Sequence, residues 1–411
     1  MHPTFLPRPL LRRLIAAVAV LGALGLAWFF ISARRTPVVL PQDVYVWQRV
    51  WDAQLHDSLR DSRDFLGGLS VLGLQRDARG RWMEPEADLA ALARDGRPLQ
   101  LVVRLDGSAP DWPAAELTQR LQAVLKRWRD AGLAPTLQLD HDCATARLGE
   151  YAARVAELRR ELPAGLPVSI TALPDWLQSP QLETLLAAAD ASTLQVHAVQ
   201  SPTAGLFDAA LAQRWIQAWA IRTGVRPFRV ALPAYGARLK LDAEGGVDAV
   251  ESEQPLPRRS AQSRELKVDP REVAGFLRWL GTSDLPGLAG VSWFRLPRAG
   301  DSRAWALATL RAVARGQPLS AQLELRWQSQ SSGALDLELH NSGTLDARLP
   351  PRLELSGDCS AGDALPGYRL ERAGADWRLL RTAEGELRAG RGRALGWLRC
   401  AAQPRLRIVT D

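Results

Sequence analysis

The sequence is poor in the residues on which metal and nucleophile chemistry usually depends. Histidine occurs five times in 411 residues, and no two stand at HxH, HxxxH or HExxH spacing. The common hydrolase and deacetylase metal sites therefore lack a ligand set, and no metal or other cofactor is expected. No GxSxG segment offers a nucleophile elbow. No glycine-rich phosphate loop follows the first strand-like run, which argues against a doubly wound nucleotide-binding sheet. Three cysteines are too few for a disulfide-held scaffold. Cys143 has no histidine at a recognisable spacing, so it reads as a buried thiol, and a nucleophile there has no support from the pattern. Cys359 and Cys400 both lie near the C-terminus, where they either pair across β-structure or stay reduced. Long Lys/Arg runs are missing too. The formal charge of +7 is almost all arginine scattered among acids, so no nucleic-acid partner is expected.

What is present is ordinary in bulk, with 46% hydrophobic and 24% charged residues, as in a soluble globular protein. The length suits one large α/β domain and a smaller one. The N-terminus differs from the rest. Arg8, Arg12 and Arg13 precede an apolar run from Leu14 to Ile31, and Arg34 and Arg35 follow it. That run is near the length that spans a bilayer and exceeds a usual cleavable core. No cysteine follows it, which excludes a lipoprotein signal. Residues 1–36 are therefore read as a cytoplasmic tail and single transmembrane helix in a bacterial inner membrane, with the remainder in the periplasm. Cleavage near Ser32 and Ala33, giving a soluble periplasmic protein, is the alternative.

From there strand-like and helical segments alternate. Strands are expected at Val44–Trp51, Leu66–Leu74, Leu99–Asp106, Thr136–Cys143, Val168–Leu173, Thr193–Val199, Phe228–Tyr235 and Gly290–Leu296. Helices are expected at Ala114–Ala131, Arg147–Leu162, Leu182–Ala189, Ala209–Thr223, Pro270–Gly281 and Arg303–Arg315. In the first of these, Leu117, Leu121, Val124, Leu125 and Trp128 form a core-facing stripe. Eight strands with helices between them predict a (β/α)₈ TIM barrel over residues 37–317, although the second crossover is weakly written. The polar stretch Ala237–Lys267 interrupts the rhythm after strand seven, as a lid or a surface hairpin. Beyond it, Gln322–Gln328, Ala334–His340, Arg352–Ser356, Trp377–Arg381 and Leu406–Val409 alternate around turn residues. They predict an antiparallel β-sandwich over residues 318–411.

The most informative stretch is TLQLDHDC, residues 136–143. Strand alternation puts Gln138, Asp140 and Asp142 on one face and Leu137 and Leu139 on the other. Two inward acids near the carboxyl end of a barrel strand stand where such barrels keep their active sites, at a solvation cost that packing alone does not explain. The same parity brings Tyr45 and Trp47, Arg104 and Asp106, Gln195 and His197, Tyr235, and Trp293 to the mouth. Carboxylates beside aromatic rings suit a polysaccharide: one group protonates the leaving oxygen, another stabilises positive charge, and ring faces hold the sugar. Asp140 and Asp142 are the candidate catalytic pair, with Asp142 as the acid and Asp140 deeper. Trp47, Asp106, Gln195, His197, Tyr235 and Trp293 are the candidate substrate contacts. The bland alternatives are core filling for the tryptophans, an interior hydrogen bond for His197, and an ion pair with arginine for Asp106.

The runs DVYVWQRVW, LQLDHDC with Arg147–Tyr151 after it, SITALPDWL and GVSWFRLP resemble a bacterial family known as domain of unknown function 3142, over about Gln42 to Arg298. That family implies no established activity. The fourth strand is also distantly similar to that of the chitinase-like glycoside hydrolase barrels, which carry two aspartates and then a catalytic glutamate at alternating positions. Asp140 and Asp142 match the aspartates and Trp293 matches a last-strand tryptophan, but Ala144 stands at the glutamate position. The resemblance thus implies a glycan-related barrel without that family's general acid. Either Asp106, Glu150 or Asp175 supplies the proton, or the barrel is an inactive glycan-binding or envelope-assembly scaffold. A second carboxylate close to Asp140 or Asp142 would favour hydrolysis.

Overall fold

Eight parallel strands, each followed by a helix, close on themselves in a computed structural model that describes residues 38–197, 205–242, 247–251, 263–374 and 376–409. The strands are β1 (Gln42–Val46), β2 (Gly68–Arg76), β3 (Leu99–Leu105), β4 (Thr136–His141), β5 (Val168–Ala172), β6 (Ala191–Gln195), β7 (Phe228–Pro233) and β8 (Leu288–Phe294). Each pairs with its sequence neighbour, and β1 pairs with both β2 and β8, so the sheet has no open edge among these eight. The expected barrel is therefore present. The closing seam needs Gly290: a Cβ there would sit 2.3 Å from the Pro41 carbonyl oxygen, and φ is +153°.

The helices are α1 (Ala53–Asp61), α2 (Leu89–Asp95), α3 (Ala114–Asp130), α4 (Leu148–Glu161), α5 (Leu182–Ala188), α6 (Ala209–Thr223), α7 (Pro270–Thr282) and α8 (Leu307–Ala314). Four start at an aspartate, Asp52, Asp88, Asp208 and Asp269, whose carboxylate accepts a first-turn backbone N–H. The cap at Asp88 and a left-handed Gly96 bound α2, the short crossover that the sequence pattern barely registers. On α3 the predicted stripe Leu117, Leu121, Val124, Leu125 and Trp128 is buried. It joins the outward residues of the strands in the main core, between sheet and helices.

Several strand ends differ from expectation. The ordered ladders stop one to five residues earlier, at Val46, Leu105, His141, Ala172, Gln195, Pro233 and Phe294, although β2 runs two residues further, to Arg76. Among the described extra residues, Trp47, Asp106, Asp142, His197 and Tyr235 line the cleft, while Asp106, Val196, Ala234 and Leu296 still donate a backbone N–H to a residue of a neighbouring strand or its extension. Likewise α8 begins at Leu307, since the Asp301 carboxylate accepts from the N–H groups of Arg303 and Ala304 and holds a turn there.

The inside of the barrel is polar and keyed. Tyr45 Oη donates to Gln138 Oε1 at 2.7 Å, and Gln138 Nε2 donates to Thr193 Oγ1 at 3.1 Å. Ser70 Oγ donates to Gln100, whose Nε2 donates to Ser169 Oγ at 3.0 Å. Nearer the amino ends Arg229 pairs with Asp43 at 2.8 Å and donates to Ser292.

The Ala237–Lys267 stretch forms a three-stranded antiparallel excursion from Ala237–Leu241, Val247–Glu251 and Ser263–Leu266. After α8 come two four-stranded antiparallel sheets. One contains Leu323–Ser329, Leu335–Asn341, Arg391–Cys400 and Cys359–Ala364; the other contains Tyr368–Ala373, Asp376–Arg381, Arg352–Ser356 and Arg405–Val409. They share a core that includes Leu339, Leu353, Leu355, Leu379 and Leu398. Cys359 and Cys400 face each other across the first sheet and are disulfide-bonded, while Cys143 is a free, buried thiol. Arg388 ties this region to the barrel by donating to the carbonyls of Asp301 and Ala304 at 2.9 and 2.7 Å. Among the described residues no helix is long and apolar enough to cross a membrane. The Leu14–Ile31 run lies outside the described residues.

Candidate functional site

A cleft of about 350 Å³ opens at the carboxyl ends of the strands. Register explains its floor. Gln75 of β2 is opposite Arg104 of β3, and Arg104 is opposite Asp140 of β4. These three side chains therefore share one inward row, and Asp106 and Asp142 follow two positions on, just past their strands.

Arg104 is the centre of the site. Its Nε donates to Asp106 Oδ1 at 2.8 Å, one terminal nitrogen to Asp140 Oδ2 at 2.9 Å, and the other to Asp142 Oδ2 at 2.8 Å. The carboxylates of Asp140 and Asp142 are thus bridged by the two terminal nitrogens of one guanidinium. Although burial works against its charge, Arg104 is held more firmly cationic than usual by Asp140 and Asp142. The hydrogen-bond chain continues outward: Gln75 Nε2 donates to Asp106 Oδ2 at 2.8 Å, and Arg49 donates to Gln75 Oε1 at 2.7 Å.

The two central acids differ. Asp140 is only 4% exposed, with its second oxygen accepting from Thr171 Oγ1 at 2.7 Å. Burial raises its pKa, Arg104 pulls it back, and Asp142 pushes it up again. Asp142 has a side chain 41% open to solvent, the most exposed of the three acids bound to Arg104. Asp140 is therefore the enclosed acid, and the acid that reaches the opening is its neighbour.

Aromatic rings form one wall. Phe294 lies 5.3 Å from Trp47, 5.4 Å from Tyr235 and 5.7 Å from both Tyr45 and His197, centre to centre. Tyr235 Oη and His197 Nδ1 are 3.4 Å apart. Burial lowers the His197 pKa to about 4, against a weaker pull from Asp142, so the ring is neutral near pH 7. Gln195 completes the lining beside Ala231, its partner on β7.

Of the residues expected at the mouth, Asp106, Asp140, Asp142, Trp47, Gln195, His197 and Tyr235 come together in this cleft. Trp293 does not. It is fully buried on the other face of β8, with its indole N–H donating to Gln42 Oε1 at 2.8 Å and its ring 6.1 Å from Trp305. A register shift between Leu288 and Gly290 accompanies this placement, and Phe294 points inward instead. Neither Glu150 nor Asp175 lines the cleft: Glu150 pairs with Arg147 on the exposed side of α4, and Asp175 lies in the short helix Pro174–Gln178. Arg49, Gln75, Thr171 and Phe294 were not anticipated. Only Thr171 had a readable signal, the polar alternation of Ser169 and Thr171 in β5. His141, between the two acids, faces outward; its Nδ1 lies 2.9 Å from the Leu105 carbonyl oxygen, and its ring packs edge-on to Trp112 and Tyr151.

The fold is a closed parallel (β/α)₈ barrel with acids and aromatic rings gathered at its carboxyl end. More particularly, the chain carries a DUF3142 domain: residues 95–299 match the family model described as domain of unknown function 3142. Residues 324–401 match a second model, domain of unknown function 8456. The fold is similar to that of the spore cortex-lytic enzyme SleL from Bacillus cereus, with 13% identity over 69% of this chain and 76% of that one and a TM-score of 0.51. A chitinase from Chromobacterium violaceum aligns at 16% identity over 67% of this chain and 98% of its own, with a TM-score of 0.46. SleL from Bacillus megaterium aligns at 12% identity over 64% and 71%, with a TM-score of 0.47. No curated protein matches the chain.

Proposed function

We propose that the cleft takes a strand of polysaccharide, with Asp142 and the rings of Trp47 and Tyr235 as its contacts. The observation that carries this reading is the gathering of three carboxylates around Arg104 opposite an aromatic wall. Sugar hydroxyls donate to carboxylates and accept from guanidinium groups, while the C–H faces of the ring lie against aromatic carbons. The fold similarity to the spore cortex-lytic enzyme SleL from Bacillus cereus supports the same reading, and chitin, cellulose and peptidoglycan are the polysaccharides to try.

Hydrolysis of that strand is the second reading. It is favoured by Asp106 and Asp142 standing close to Asp140, because glycosidic cleavage needs two carboxyl groups in reach of one bond. In that scheme Asp142 protonates the leaving oxygen and Asp140 stays behind it. Against it stands Arg104, which occupies an oxygen of every one of these acids, while Thr171 takes the other oxygen of Asp140. We favour binding as the primary role.

Both readings meet one experiment. The full chain is incubated with chitin, cellulose and purified peptidoglycan, and bound protein and released reducing ends are measured. Retention on one of them, weakened by Tyr235→Ala, is expected. No retention on any would sink the glycan reading. If reducing ends appear, Asp142→Asn should lower turnover about 10²-fold with a nearly unchanged melting temperature; undiminished turnover would remove Asp142 from the acid role. The same proposal sets the folded regions in the bacterial periplasm, held by Leu14–Ile31 or released after its cleavage. Mass spectrometry of the mature N-terminus separates these, and a start near Thr36 would refute the anchor.

A further inference from the structure

The outer face of the first C-terminal sheet presents an open indole between two acids. Directly opposed residues of an antiparallel pair share a face. Trp397 is opposite Asp336 on one neighbouring strand and Asp363 on the other, and Asp336 is opposite Gln328. The row Gln328–Asp336–Trp397–Asp363 thus crosses all four strands. The alternate residues Leu337 and Leu398 are buried in the core on the opposite face. Trp397 is 37% exposed, the only described tryptophan among the exposed large hydrophobic residues.

We propose that this row is a second glycan-binding site, in which Trp397 stacks on a pyranose ring and Asp336 and Asp363 accept its hydroxyls. Neighbouring strands lie about 4.8 Å apart, so the two carboxylates stand about 9.6 Å apart across the indole, room for one pyranose with a hydrogen bond on each side. Asp336 accepts from the Gln330 side-chain amide, and Asp363 from the Ala364 backbone N–H at 2.8 Å. An ionised carboxylate has about four acceptor positions, so both acids keep capacity for a ligand. An open indole edged by acceptors suits the C–H face and hydroxyl rim of a neutral sugar. Its two carboxylates disfavour a nucleic acid or another anionic chain. The choice of sugar rests on the polysaccharide reading of the barrel cleft, but the site is on a different domain and is tested separately.

The test uses the full chain with the same insoluble chitin, cellulose and peptidoglycan, comparing wild type, Trp397→Ala, Trp397→Phe and Tyr235→Ala by co-sedimentation. Trp397→Ala should weaken retention about ten-fold on whichever polysaccharide the wild type binds, and Trp397→Phe should recover most of it. Tyr235→Ala should keep the Trp397-dependent part. Wild-type retention by Trp397→Ala overturns the sheet site and leaves the cleft reading standing. Loss of all binding in Trp397→Ala, with Tyr235→Ala unaffected, supports the sheet site and overturns the cleft. Equal weakening by Trp397→Ala and Trp397→Phe with a lowered melting temperature overturns a stacking role in favour of a structural one.

Discussion

Replacing Arg104 by methionine should expose the electrostatic design of the cleft. The change keeps most of the side chain's apolar stem but removes the cation bonded to Asp106, Asp140 and Asp142 together. Removing one partner of a buried ion pair typically costs about 3–5 kcal/mol. Only the Asp140 pair is enclosed on its acid side, since the Asp142 and Asp106 side chains are 41% and 26% open. The low end, roughly 3 kcal/mol at pH 7, is therefore expected, or about 6–12 °C in the barrel's melting temperature. The pH dependence is the sharper test. The folded pKa of Asp140 is raised, so between its unfolded and folded values the native state binds more protons and stability falls as pH rises. Without Arg104 that pKa moves further up, and the penalty grows with it. Measured by calorimetry, the deficit of Arg104→Met against wild type should be largest near pH 7 and shrink by at least about half near pH 4.5. Adding Asp140→Asn, whose amide oxygen still accepts from Thr171, should restore part of the loss at neutral pH. A deficit that ignores pH, or none at pH 7, would refute the role given to Arg104.

Three other perturbations are simpler. Reducing the Cys359–Cys400 bond, which spans 41 residues of sequence, should destabilise the C-terminal sheets by about 4 kcal/mol on the chain-entropy estimate; unfolding unchanged by reductant would contradict it. Tyr45→Phe should cost about 1–2 kcal/mol because it strands the buried Gln138 carbonyl oxygen, and denaturant titration gives the value. The His197 imidazole should titrate near its depressed value of about 4, with stability lost as pH falls from about 6.5 through that value; an NMR midpoint above 6 would show that burial is not what governs it.

The parts of the molecule that were legible in the sequence were those governed by local period. Alternation in residues 136–142 placed Asp140 and Asp142, and the 3.6-residue stripe gave α3 its buried face. Strand ends were overrun because cleft residues such as Trp47, Asp106 and Tyr235 are apolar or continue the same alternation past the regular ladder. Trp293 was misplaced because the shift at Gly290 accompanies a change of face that period alone does not reveal. Arg104 was visible as an inward arginine, but its three-way bond was not, since it depends on registers across β2, β3 and β4. Gln75 escaped for the same reason, lying one residue beyond the expected end of its strand.

Closure of the barrel has a temporal consequence. Val44 pairs with Trp293, so the first strand finds its second neighbour only after 249 further residues have been made. At about 5–20 residues per second that is roughly 12–50 s of synthesis. Throughout that interval one edge of β1 and the advancing edge of the growing sheet are both unsatisfied, and each is a template for pairing with another chain. A nascent fragment lacking β8 is therefore a sticky open sheet, and the last barrel strand acts as the seal that ends its period of risk.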